Sequence, residues 1–118
     1  MIAVIFEVIP AEGRKADYFE HAARLRSELE QMDGFISVER FQSLTNPDKL
    51  LSLSFWRDEI EVAGWRCNVN HRATQAKGRN GIFDGYRLRV AMVARDYAMT
   101  ERREQAPDDS QAIHDVLI

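Results

Sequence analysis

The chain is short of the residues that would give it a cross-linked or metal-built scaffold. It has one cysteine in 118 residues, Cys67, so an intrachain disulfide is excluded, and no Cys-x-x-Cys zinc spacing exists. A reducing compartment is the expectation, and we take the cytoplasm. Long apolar runs are also missing. The first, "IAVIFEVI", is eight residues long, contains Glu7, and is too short to span a bilayer. It lacks the basic segment and small-residue cleavage site of a secretory signal. No basic stripe with interleaved aromatics appears and the net charge is −3, which argues against nucleic acid and anionic membranes as partners. There is no GxGxxG, no Walker loop and no Gly-x-Ser-x-Gly elbow; "KGRNG" reads as a helix end and turn. His21, His71 and His114 share no ligand spacing, so neither a metal nor another cofactor is expected.

What is present is ordinary for one globular domain: 45% hydrophobic and 30% charged residues. Residues 2 to 9 are rich in Ile, Val and Phe and predict a strand. Both its faces are apolar, with Ile2, Val4, Phe6 and Val8 on one and Ala3, Ile5 and Ile9 on the other. From Lys15, the spacing of Tyr18, Ala22, Leu25, Leu29 and Met32 predicts an amphipathic helix, with Gly34 as its C-terminal cap. "FISVERFQSL" and "LLSLSFW" predict a hairpin through "TNPDK", with Pro47 at the first central position of the turn. Asp58 and Glu61 suit a capping box for a second helix. That helix is expected to break near Asn68 and resume as a short helix from Asn70 to Lys77, since asparagine favours caps and turns. Cys67 falls on its Ile60–Gly64–Cys67 stripe and reads as a small buried hydrophobe. Tyr86, Leu88, Val90, Met92 and Ala94 alternate in a fourth strand. The order βαββαβ predicts an α+β, ferredoxin-like domain with a four-stranded antiparallel sheet and two helices on one face. Two helices cover one face only, and a second sheet from an identical chain is the simplest cover for the other, which predicts a homodimer. We place the domain at residues 1–97. Residues 98–118 form a polar tail whose final "VLI" is expected to dock, on the partner subunit for instance.

Candidate chemistry centres on "GWRCNVNHRATQ". On an unbroken helix Trp65 and His71 lie about 120° apart; a break near Asn68 lets them converge on one cleft. There, the indole would supply a stacking wall and the imidazole a proton acceptor near neutral pH. The alternative is a core tryptophan and a satisfied surface histidine. Glu7, the one charge in the first strand, is expected to pair with an arginine across a strand or an interface. Arg87, Arg89 and Arg95 on the fourth strand, and Arg40 on the second, can orient an anionic or enolate oxygen, or form a paired row.

The stretches "SFWRDEIEVAGWRCNVNHRATQAKGR" and "YRLRVAMVARDY", behind a strand–helix start with Gly13, resemble the antibiotic biosynthesis monooxygenase (ABM) domain family over roughly residues 1–97. The resemblance implies a dimeric α/β barrel, with a pocket between helices and sheet in each subunit. It also implies oxidoreductase chemistry: oxidation of an aromatic phenol or quinol by O2, without metal, flavin or haem, the deprotonated substrate supplying the electron. On that pattern Trp65 and His71 are the catalytic candidates. Phe6, Tyr86, Arg87, Arg89 and Asn68 are the substrate-binding ones. An asparagine one turn before the tryptophan is replaced here by Glu61. A haem-degrading branch requires an asparagine where Phe6 stands and a histidine ligand where Gln75 stands, so haem degradation is the weaker reading. A dimeric module that holds a small aromatic molecule without turning it over is the alternative from outside enzymology.

Overall fold

A computed structural model describes residues 1–65, 67 and 81–109. β1 (Ile2–Pro10) is followed by α1 (Lys15–Leu29), β2 (Phe35–Gln42) and β3 (Leu50–Trp56). Residues 59–65 open a second helix, α2, and β4 (Phe83–Met92) completes a four-stranded sheet of order β2-β3-β1-β4. Each neighbouring pair is antiparallel. This is the ferredoxin-like arrangement that the element order predicted.

Register decides which face each residue takes, because side chains alternate and directly paired residues share a face. Val4 is paired with Ser54 and Val90, Phe6 with Ser52 and Leu88, and Ser52 in turn with Arg40. These residues lie on the face that the helices cover. The opposite face carries Ala3, Ile5 and Glu7, paired with Phe55, Leu53 and Leu51 on one side and with Ala91, Arg89 and Arg87 on the other.

The core under the helices is two clusters rather than one. Ile2, Val4, Leu29, Trp56, Val62 and Trp65 form the first; Val8, Tyr18, Ala22, Leu50 and Ile82 form the second. α1 contributes to both because Tyr18, Ala22 and Leu29 recur at helical spacing. The row through Phe6 and Ser52 lies between them.

The hairpin turn forms as expected: Lys49 N–H donates to the Asn46 carbonyl at 2.9 Å, across Pro47 and Asp48. Asp58 caps α2, accepting the Ile60 and Glu61 amides at 3.0 and 3.3 Å. Three expectations are corrected. Gly34 is not the cap of α1, which ends at Leu29 with Glu30 still right-handed; Gly34, at φ 81°, turns the chain into β2. The buried stripe of α2 is Val62 and Trp65, whereas Ile60 is 83% exposed and Cys67 is exposed. Cys67 follows Val62 by five residues, about 140° round the helix, so burying the larger Val62–Trp65 pair turns it outward. β4 begins at Phe83 and ends at Met92, so Ala94 falls outside it.

The expected break at Asn68, the helix to Lys77 and the terminal "VLI" lie outside the described residues. The described part of the tail folds on itself. Asp96 N–H donates to Gln105 Oε1 at 3.1 Å, Arg103 lies over the Tyr97 ring, and Ala106 is buried. No described helix is long and apolar enough to cross a membrane.

Candidate active site

Between the two core clusters the helix side of the sheet encloses a cavity. It offers about 90 Å³ to the centres of water-sized molecules, against about 10–15 Å³ needed for one water, so a small organic molecule can begin to enter. Its walls are mostly apolar. α1 supplies Ala22, Leu25 and Leu29, α2 supplies Val62 and Trp65, and the sheet supplies Phe6, Val38, Phe83, Leu88 and Val90. Five polar side chains interrupt them: Tyr18, His21, Arg40, Ser52 and Ser54.

Trp65 is held rigidly. It is buried and stacks on Trp56, ring centroids 6.4 Å apart and planes 28° from parallel. Trp56 is fully buried, meets Phe35 edge-on at 5.5 Å, and donates its indole N–H to Ser54 Oγ at 3.0 Å. The tryptophan that walls the cavity is thus braced by a second tryptophan, whose polar atom is satisfied in turn. Glu61, at the position of the family's asparagine, does not line the cavity. Its Oε1 pairs with Arg57, and its Oε2 is buried with no hydrogen-bond partner among the described residues. Gly34 permits this: a Cβ there would come within 2.5 Å of Glu61 Cγ and Cδ.

Arg40 enters the cavity from β2. One guanidinium nitrogen, Nη2, donates to the Ala22 carbonyl at 3.3 Å, while Nε is buried without a partner among the described residues. A buried donor left unsatisfied costs about 1–3 kcal/mol. The Tyr18 phenol beside it titrates above its ordinary value of 10.0, because burial disfavours the phenolate more than Arg40 favours it. His21 lines the cavity from α1.

Of the residues singled out from sequence, Trp65 and Phe6 line the cavity. Tyr86 is 58% exposed and reaches it through Phe6 and Phe83, whose rings it meets at 5.6 and 6.4 Å. Arg87 and Arg89 are not brought there. They share the opposite sheet face with Glu7, to which Arg89 donates at 3.2 Å. The pairing expected for Glu7 forms, with Lys49 as a second partner at 3.1 Å. His71 and Asn68 lie outside the described residues. Sequence reasoning missed Tyr18, His21, Ser52 and Ser54 as lining groups. The serines carried half of the signal, since they alternate with Leu51, Leu53 and Phe55; the pairing of Ser52 with Phe6 and of Ser54 with Val4 then puts them on the cavity face.

A ferredoxin-like sheet with an apolar cavity under its helices defines a class of small α+β domains. The comparisons name the family within it. The profile of the antibiotic biosynthesis monooxygenase family matches residues 1–77, and the chain belongs to that family. It is 40% identical over 116 residues to the jasmonate monooxygenase ABM of Pyricularia oryzae, covering 98% of this chain but 54% of that protein. The chain therefore spans about half the length of that relative. Among solved structures, a protein from Deinococcus radiodurans superposes with a TM-score of 0.71 at 12% identity, covering 83% of this chain and 97% of that one. The heme-degrader MhuD of Mycobacterium tuberculosis, with two hemes bound in its active site, superposes at 0.62 and 16% identity, covering 83% and 100%. At those identities the likeness is one of fold.

Proposed function

We propose that the chain is a monooxygenase domain that oxidises a small, largely apolar phenol, quinol or enolisable ketone with O2. The carrying observation is the apolar cavity walled by Trp65 and Phe6 in a chain of this family. Loss of a proton gives a phenolate or enolate, which is the electron donor to oxygen. Where the reacting carbon is a CH2 group, one oxygen atom becomes the new C=O, the other leaves as water, and the substrate supplies all four electrons. Trp65 packs against the substrate ring. The proton acceptor is an imidazole: the family pattern favours His71, and His21 is the one that lines the described cavity. No residue role in this scheme calls on a metal, flavin or haem. The relative named a jasmonate monooxygenase supports an oxidised substrate of this size and apolar character.

The outer sheet face supports a homodimer as the working form. Ile5, Leu53 and Phe55 lie side by side there, around a Glu7 already neutralised by Lys49 and Arg89. Such a face suits a second copy of itself.

Oxygen uptake with a panel of hydroquinones, anthrones and cyclic ketones tests the activity. Uptake that falls by about 10²- to 10⁴-fold in His71→Ala or His21→Ala identifies the proton acceptor. Binding without uptake across the panel overturns the oxidation and leaves a module that holds its ligand unchanged.

A further inference from the structure

One cross-sheet row of the cavity is graded in polarity. Arg40 is paired with Ser52, Ser52 with Phe6, and Phe6 with Leu88, and all four line the cavity. The row runs from a guanidinium at the β2 edge, through a hydroxyl, to an aromatic ring and an aliphatic side chain. With strands about 4.8 Å apart, Arg40 stands roughly 10 Å from Phe6 and roughly 14 Å from Leu88 along the sheet. Among the described residues no carboxylate lines the cavity, and none pairs with Arg40. Its neighbour Glu39 is paired with Leu53, on the other face. Among the described residues the buried Nε–H has no partner, the Nη2–H makes one long bond, and the Tyr18 phenol lies within hydrogen-bonding range of the guanidinium without neutralising it. Nε and one Nη form the edge of the guanidinium that receives both oxygens of a carboxylate.

We propose that Arg40 is an anion anchor and that the cavity's ligand is a small apolar acid: a largely hydrocarbon body about 10–14 Å long that bears the phenol, quinol or ketone to be oxidised and one terminal carboxylate. The carboxylate takes the Nε edge of Arg40, with Ser52 as the adjacent hydroxyl, and the body lies along Phe6 and Leu88 towards β4. A neutral carbonyl meets the buried Nε–H with one uncharged bond only, and a cationic ligand is repelled. The proposal rests on the cavity being the substrate site, and it specifies the substrate class.

The test is equilibrium binding to the full chain, read by tryptophan fluorescence. The probes are jasmonate and 4-phenylbutyrate, each against its own methyl ester, which keeps the body and removes the charge. The acids are expected to bind about tenfold or more tightly than the esters, since a two-oxygen, charge-assisted pair is stronger than one bond to a neutral carbonyl. In Arg40→Gln that ratio falls to near one, and in Arg40→Lys it is partly kept. Equal affinity of acid and ester for the unaltered chain overturns the proposal, whether or not the variants fold. So does an acid preference that survives in Arg40→Gln. Oxygen uptake is followed separately. Acid preference without uptake sustains the anchor and overturns the monooxygenase reading. Uptake with indifference to the carboxylate does the opposite.

Discussion

Gly34→Ala is the substitution whose cost the structure apportions most clearly. Gly34 sits at φ 81°, and its carbonyl accepts the Arg57 amide at 2.8 Å, so the backbone is pinned in a left-handed conformation. Holding an alanine there costs about 1–2 kcal/mol. The new methyl also meets Glu61, whose Cγ and Cδ would lie 2.5 Å away. Glu61 can swing aside only by leaving Arg57, so the contact adds about 1 kcal/mol, the low end for overpacking. The single variant should lose roughly 2–3 kcal/mol, a large part of a small domain's stability. In a Glu61→Ala background the contact disappears while the backbone strain remains, so the same glycine change should cost about 1–2 kcal/mol. The double-mutant cycle then gives a coupling near 1 kcal/mol. Urea denaturation with an unchanged m-value reads all four proteins. If the glycine change costs as much without Glu61 as with it, the close approach of Glu61 to Gly34 is wrong.

Three further outcomes are expected. The Glu7 carboxyl is held below its ordinary 4.5, first by its hydrogen bond to Lys49 and then by the Lys49 and Arg89 charges against opposing desolvation. A depressed folded pKa contributes stability that is present above pH 4.5 and is lost as pH falls through the folded value. Urea midpoints of the unaltered protein should therefore drop below pH 4.5, and a Glu7→Gln variant that declines just as steeply would refute the linkage. Ser54→Ala leaves the buried Trp56 indole N–H without its acceptor and should cost about 1–3 kcal/mol; a midpoint unchanged from the parent would show that this bond contributes nothing. Sedimentation at micromolar concentration should show a dimer whose interface buries at least about 1,200 Å², and a folded species of 13.6 kDa alone would exclude it.

The sequence by itself determined the elements and their order. The apolar run "IAVIFEVI", the alternation in "LLSLSFW", the helical spacing from Tyr18 to Leu29, the Pro47 turn and the Asp58 cap are local signals, and the backbone answers to them locally. It also marked Trp65 and Phe6 as lining residues, and Glu7 as a paired charge. Faces and neighbours across the sheet were settled only in three dimensions. Arg40, Arg87 and Arg89 look alike along the chain, yet register sends Arg40 into the cavity and the other two to the opposite face. A strand's period of two says that residues alternate, but not which set the helices will cover. Ser52 and Ser54 were legible as a polar stripe and became cavity wall because β1's Phe6 and Val4 lie beside them. Ile60 and Cys67 looked buried because they recur at helical spacing. The larger surface of Val62 and Trp65 took the core instead, and only the sheet beneath could decide between two apolar faces of one helix.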